Sequence, residues 1–288
     1  MNRSPPKVHL VDGTFELFRC FYGSPRHVNR YGEEVGAVRG LLHTLLSLLK
    51  ADDVNHLAVA FDRLPAARGS TDTSVGALIR RQAPLALEAV RALGVRLWPM
   101  VRHQADDALA TGARALAECD DAGQIVICTS DTDLFQCIRG ERVVVLNRIT
   151  GEVTDEPVFR SRFGISPPQF PDYLALVGSA AKGIPGVPGW GPKTTATILG
   201  RYGDIESTPL APEALQEVRG SKRLAAQLAE RRAEALLVKR LATLHDDLPL
   251  DCRLEALAWQ DIDRRKLRTL IDRTEAQDLW PRIERWQR

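Results

Sequence analysis

The segment Val8-His9-Leu10-Val11-Asp12-Gly13-Thr14 is a short apolar run that stops at an acid and a glycine. A run this short, closed by turn residues, reads as a buried strand rather than a helix. The pattern returns at 56–61 before Asp62, at 96–100, at 124–129 before Ser130-Asp131, and at 143–146. Between these runs, residues 35–49, 78–93 and 105–116 space their apolar side chains as helices do. Short strands separated by helices predict an α/β fold, a mainly parallel sheet with helices on both faces. After Gly164 only helical patterns occur, at 169–177, 194–199, 222–244 and 264–271. The change of character falls at 163–168, so the expected domains are 1–165 and 166–288. Residues 63–74 are small and polar and read as an exposed loop. No internal repeat is present.

Composition narrows the class. The 288 residues are 44% hydrophobic and 26% charged, enough to bury a core and too apolar for a disordered chain. With 39 basic and 37 acidic side chains the net charge is +2, so any nucleic-acid footprint has to be local. No apolar run approaches the ~20 residues that span a bilayer, and no membrane partner is expected. The start, Met1-Asn2-Arg3-Ser4-Pro5-Pro6, has no apolar signal core. Cys20, Cys119, Cys128, Cys137 and Cys252 contain no CxxC pair, which argues against a disulfide scaffold or structural zinc and fits a reducing cytoplasm.

The acids carry the chemistry. Asp12, Asp62 and Asp131 each follow a strand, Asp106 and Asp107 open the helix after the third strand, and Asp133 lies two residues past Asp131. Parallel strands bring their carboxyl ends to one edge, where open α/β sheets bind ligands. Six carboxylates from four strand ends repel one another unless a cation sits among them, and hard divalent ions such as Mg²⁺ use carboxylate and water oxygens. Such sites stabilise attacking and leaving oxygens in phosphodiester hydrolysis. Taken singly, each acid also reads as a helix cap or turn residue. A strand-end Asp can instead be a phosphoryl-accepting nucleophile, as in haloacid-dehalogenase phosphatases. Their second Asp, two residues away, is replaced here by Leu10 and Thr14.

The second decisive stretch is Gly183-Ile184-Pro185-Gly186-Val187-Pro188-Gly189-Trp190-Gly191-Pro192-Lys193-Thr194. From Gly178 to Gly203 there are seven glycines, the basic residues Lys182, Lys193 and Arg201, and no acid. Pro192 suits a first helical turn, whose free N–H groups, with Lys193, would grip a phosphate. This is a helix-hairpin-helix pattern holding nucleic-acid backbone through Gly186, Gly189, Gly191, Lys193, Thr194 and Lys182. The alternative is an ordinary Gly/Pro loop between helices.

Together these segments resemble the bacterial 5′-3′ exonuclease and flap endonuclease family, which includes the N-terminal nuclease domain of DNA polymerase I. The resemblance runs from Val8 to Leu248. It rests on Val11-Asp12-Gly13-Thr14 with Arg19, Val35-Gly36-Ala37, Ala60-Phe61-Asp62, Ala105-Asp106-Asp107, Ser130-Asp131-Thr132-Asp133, Tyr173-Leu174-Ala175-Leu176-Val177-Gly178 and the glycine segment. It implies a PIN-like nuclease domain, then an all-helical DNA-binding domain with a helix-three-turn-helix. It also implies Mg²⁺- or Mn²⁺-dependent cleavage of duplex or branched DNA with a 5′ end, in replication and repair. By the same resemblance Asp12, Asp62 and Asp106 hold the metal that activates water. Asp107, Asp131 and Asp133 assist, and Arg19 lies near the scissile phosphate.

Three positions depart from the family. Gln104 and Ser179 stand where it has acids, and Lys182 stands where it has a further Asp. One metal site is therefore expected nearly complete and the second degraded. The family's arch residues are also absent from 63–76. These losses keep open a catalytically inactive DNA-binding pseudo-nuclease, and PIN-like sites leave RNA open as a substrate. Trp259, Trp280 and Trp286, in the last forty residues, are expected to serve packing.

Overall fold

The computed structural model describes residues 5–51, 54–64 and 74–284. Contacts divide the chain into two units, the first made of residues 1–130 and 246–288, the second of Asp131–His245.

In chain order the first unit begins β1 (Val8–Asp12), α1 (Gly13–Gly23), α2 (Gly36–Leu49), β2 (His56–Phe61), α3 (Val75–Ala92), β3 (Arg96–Pro99), α4 (Ala105–Ala117) and β4 (Ile125–Cys128). These strands lie in the order β3-β2-β1-β4. All three pairings are parallel, with Val8 opposite both His56 and Ile125, and Ala58 opposite Arg96. Every residue of β1 and β4 is buried. A parallel sheet covered by helices on its faces requires this, and continuous apolar runs rather than alternation are its sequence signature. Gly13 shows how tightly α1 leaves the sheet: a Cβ there would lie 2.4 Å from the Phe61 ring and 2.6 Å from Val59. The sequence pattern did not mark α1, because Gly13 and the aromatic-rich run after it lack a clean helical stripe.

The second unit contains β5 (Val143–Leu146), β6 (Val153–Thr154), α5 (Glu156–Phe163), α6 (Phe170–Val177), α7 (Pro192–Tyr202) and α8 (Ser221–Ala242). β5 and β6 form a short antiparallel hairpin, so 143–146 is followed by one more strand than the sequence reading placed. Phe135, Phe159, Phe163, Phe170 and Tyr173 make edge-on, tilted and stacked contacts with neighbouring ring centroids 4.8–6.1 Å apart. This aromatic cluster ties 131–164 to the helices that follow. It explains why contacts divide the chain at Asp131, whereas the sequence changes character near 165.

The tail returns to the first unit as α9 (Leu254–Leu257), α10 (Arg264–Thr274) and α11 (Trp280–Glu284). It buries Leu257, Leu267, Leu270, Ile271, Leu279 and Ile283. The Trp259 amide donates to Asn55 O and its indole Nε1 to Leu93 O, both at 2.8 Å. Glu275 bonds His27 at 2.8 Å, and Arg273 bonds Glu33 at 2.7 Å. The Arg268 guanidinium covers the Trp280 ring at 5.6 Å. Trp259 and Trp280 are thus engaged in packing, and Trp286 lies outside the described residues, as does most of 63–76. Among the described residues no helix is long and apolar enough to cross a membrane.

Candidate active site

At the carboxyl edge of the first unit's sheet, hydrogen bonds join one strand end to the next. Asp12 is 6% exposed. Its Oδ1 accepts from Phe15 N at 2.8 Å, capping α1, and its Oδ2 accepts from Thr129 Oγ1 at 3.1 Å, just past β4. The Asp62 amide donates to Thr14 Oγ1 at 2.8 Å, and Asp62 Oδ1 accepts from Ala105 N at 2.7 Å, at the start of α4. Asp107 Oδ2 accepts from Gln104 N at 2.9 Å, and Asp106 lies beside it in the same first turn. Asp12, Asp62, Asp106 and Asp107 are therefore the acids of one edge, and Asp12, Asp62 and Asp107 are each held by a hydrogen bond at a strand or helix terminus. Thr14 and Thr129 escaped the sequence reading. Their one signal is position: Thr129 directly follows β4, and Thr14 lies two residues past the end of β1.

Arg19 is held by Glu16, which is fully buried. Its Nε reaches Glu16 Oε2 at 2.9 Å, and Nη2 donates to Thr44 Oγ1 at 3.0 Å. The guanidinium is thus fixed in one orientation on α1.

Asp131 and Asp133 belong to the second unit, and a cation of the chain already sits between them. Lys182 Nζ lies 2.6 Å from Asp131 Oδ1 and 2.6 Å from Asp133 Oδ2. Burial pushes the Asp133 carboxyl above the usual carboxylate range, against the hydrogen bond from Lys182. Burial also works against the Lys182 ammonium, but its hydrogen bonds to the two carboxylates and their charges outweigh that and raise its pKa. Asp133 Oδ1 is buried with no hydrogen-bond partner. Lys182, expected with the phosphate grip, is engaged by these two acids.

The glycine segment forms a tight turn ahead of α7. Gly186 has φ +69°, and a Cβ there would lie 2.6 Å from the backbone of Val177. That approach lets Val187 N donate to Leu176 O at 2.8 Å. Trp190 is buried and its Nε1 donates to Leu224 O at 3.2 Å, fixing the hairpin on α8. Gly191 caps α7 without a side-chain bond, and Pro192 opens its first turn. The first-turn N–H groups, those of Lys193 and Thr194 included, have no carbonyl one turn earlier in the helix to reach. Lys193 is exposed beside them, and Arg201 pairs with Glu217.

The donor chemistry of the first unit, four carboxylates on one sheet edge, suits a hydrated hard cation. Among the described residues no three His, Cys, Asp or Glu side chains gather closely enough to enclose an ion by themselves. At Asp131 and Asp133 the residues do not fit a divalent ion, because an ammonium takes one oxygen of each.

Comparison with known proteins agrees with this architecture. Residues 7–164 match the family described as 5′-3′ exonuclease, N-terminal resolvase-like domain, and residues 165–265 match 5′-3′ exonuclease, C-terminal SAM fold. The chain is 35% identical to DNA polymerase I of Pseudomonas aeruginosa over 268 residues, covering 89% of this chain and 29% of that polymerase. It is 27% identical over 287 residues to a 5′-3′ exonuclease of Aquifex aeolicus, covering 96% of this chain and 95% of that protein. The chain thus spans under a third of the polymerase and nearly all of the exonuclease. Among solved structures, the T5 5′-exonuclease with bound zinc superposes with a TM-score of 0.65 at 16% identity, covering 93% of this chain and 99% of that one. The catalytic core of Rad2 in complex with DNA superposes with a TM-score of 0.62 at 14% identity, covering 98% and 90%. At these identities the structural matches establish the fold.

Proposed function

The chain belongs to the 5′-3′ exonuclease family, and on that premise we propose that it is a metal-dependent 5′-nuclease acting in the cytoplasm on duplex or branched DNA with a 5′ end. Residues 1–165 carry the cleavage chemistry in this reading, and the helical residues within 166–288 grip the duplex. Asp12, Asp62, Asp106 and Asp107 are the residues that would hold a Mg²⁺ or Mn²⁺ ion. Such an ion, when bound, polarises a phosphodiester and lowers the pKa of a water. Thr129 keeps Asp12 aimed along the sheet edge, and the Ala105 amide does the same for Asp62. Arg19, fixed by Glu16, offers a guanidinium of set orientation to a phosphate. The hairpin amides and Lys193 bind backbone phosphates without reading bases.

The observation that carries this reading is the row of strand-end acids on one edge of a parallel sheet, fixed by Thr14, Thr129 and the start of α4. The test is a 5′-labelled overhang duplex incubated with protein and Mg²⁺ or Mn²⁺, with a chelator control and a parallel anisotropy titration of binding. Ion-dependent release of 5′ products is expected, and binding without release under either ion would refute cleavage. A second reading, a DNA-binding protein without cleavage, is favoured by the lysine between Asp131 and Asp133.

A further inference from the structure

The cluster Asp131–Lys182–Asp133 lies wholly within the second unit and is built rather than incidental. Lys182 sits on a six-residue loop closed on itself. Ser179 N donates to Ile184 O at 2.8 Å, Ile184 N donates back to Ser179 O at 2.9 Å, and Lys182 N donates to Ser179 O at 3.1 Å. Gly183, with φ +67°, turns the chain directly after the lysine. The carboxylates are fixed as well: Asp131 Oδ1 accepts from Asp133 N at 2.9 Å and opens a 3₁₀ turn. The ammonium therefore meets two oxygens at 2.6 Å each, from a loop closed by its own hydrogen bonds.

We propose that Lys182 is the resident cation of this acid pair, so that the second unit takes no divalent ion, and that this tethered ammonium keeps one donor for a phosphate oxygen. The proposal deepens the nuclease reading and rests on it for the phosphate. Three details support it. Lysine has three N–H donors and no acceptor. Two are spent on Asp131 Oδ1 and Asp133 Oδ2, which leaves a third, and the Lys182 side chain is 26% exposed. The buried oxygen Asp133 Oδ1 is left without a partner. A divalent ion can be shared by both oxygens of a carboxylate, whereas one ammonium N–H satisfies only one of them. Here the ammonium reaches Oδ2 of Asp133 and leaves Oδ1 unpartnered. The charge also follows. Two carboxylates and one ammonium sum to −1, so the pair attracts a dication less than it would alone.

The test is Mn²⁺ uptake by the full chain after chelator treatment, read from loss of the free-ion electron paramagnetic resonance signal. Asp12→Asn serves as the background, to remove uptake at the first unit's edge. In that background the native Lys182 protein is expected to bind no Mn²⁺ at concentrations that load the wild type. Adding Lys182→Asp is expected to restore one equivalent, and Lys182→Gln a weaker one, by about tenfold or more in affinity. Lys182→Gln removes the charge while keeping most of the side chain's reach, and guards against a folding failure of the aspartate variant. Two results would overturn the proposal. One is uptake in Asp12→Asn that Asp133→Asn abolishes, which puts a divalent ion beside Lys182. The other is no uptake in either Lys182 variant, which denies that the acids form a cation site. A wild type that loads Mn²⁺ at the Asp12 edge but releases no 5′ product defeats the nuclease reading alone, and leaves the uptake results to decide this one.

Discussion

Asp12 does two jobs that substitution can separate. Its Oδ1 caps α1 through Phe15 N, and its Oδ2 takes the Thr129 hydroxyl. In Asp12→Asn the amide oxygen still caps the helix, and the Thr129 hydroxyl can accept from the new NH₂ instead of donating. The expected stability change is under about 1 kcal/mol. In Asp12→Ala the cap is lost, about 1 kcal/mol, and the buried groups it served lose an acceptor, about 1–2 kcal/mol more. For a unit of this size a total near 2–3 kcal/mol lowers Tm by roughly 4–12 °C. Chemistry treats the two variants alike. Both remove a negative ligand from the edge that would hold the ion, and losing one such electrostatic contribution costs about 3–4 kcal/mol of transition-state stabilisation, a rate loss of roughly 10²–10³. The assay pairs thermal melts with single-turnover cleavage of a 5′-overhang duplex and anisotropy for binding. Asp12→Asn should melt like wild type, bind DNA like wild type and cleave at least a hundredfold more slowly. An asparagine variant that cleaves at the wild-type rate would refute the assignment of Asp12. One that melts as low as the alanine variant would refute the account of the cap.

The other predictions concern the grip, a buried charge and the tail. Lys193→Ala should weaken binding about equally across sequences and reduce the slope of log affinity against log salt by about 1; a loss confined to one sequence would contradict phosphate recognition. Asp172 is 3% exposed, accepts from Ile205 N at 2.9 Å and pairs with Lys239 at 2.9 Å. Asp172→Ala should cost about 2–4 kcal/mol in denaturant unfolding, while Asp172→Asn, which keeps an acceptor, should cost about half as much; equal losses would show that charge, not the hydrogen bond, sets the cost. A chain ending at His245 should lose cooperative unfolding of the first unit, because it removes six buried aliphatic side chains worth about 1.5–3 kcal/mol each; a two-state melt near the native Tm would contradict this.

The sequence disclosed the parallel sheet and its edge because a strand buried on both faces leaves a short apolar run, and Asp12, Asp62 and Asp131 mark the carboxyl ends of three such runs. β1, β2 and β4 were legible in that way, β3 from its apolar run alone, α4 from helical spacing and the turn before α7 from its glycines. The Lys182 position was legible as a departure, but its distances to Asp131 and Asp133 were not, since 49 residues or more separate it from them in the chain. The tail was not legible. The apolar stripe of α10 says that one face is buried and cannot say against what; contacts such as those of Glu275, Arg273 and Trp259 assign the tail to the first unit. α5 was missed because its single buried residue, Phe159, leaves no stripe. Thr14, Thr129 and Glu16 were missed because a place beside a strand end or on a helix is a weak signal, and a group that acts by holding another carries no spacing of its own.

The proposed nuclease needs a divalent ion held by the first unit's acids, with an ammonium held by the second unit's. The most direct measurement is an anomalous difference map from a crystal soaked in Mn²⁺. It should contain a peak beside Asp12, Asp62 and Asp106, and none between Asp131 and Asp133, where Lys182 Nζ should remain. No peak beside Asp12, or a Mn²⁺ peak between Asp131 and Asp133 with Lys182 displaced, would contradict it.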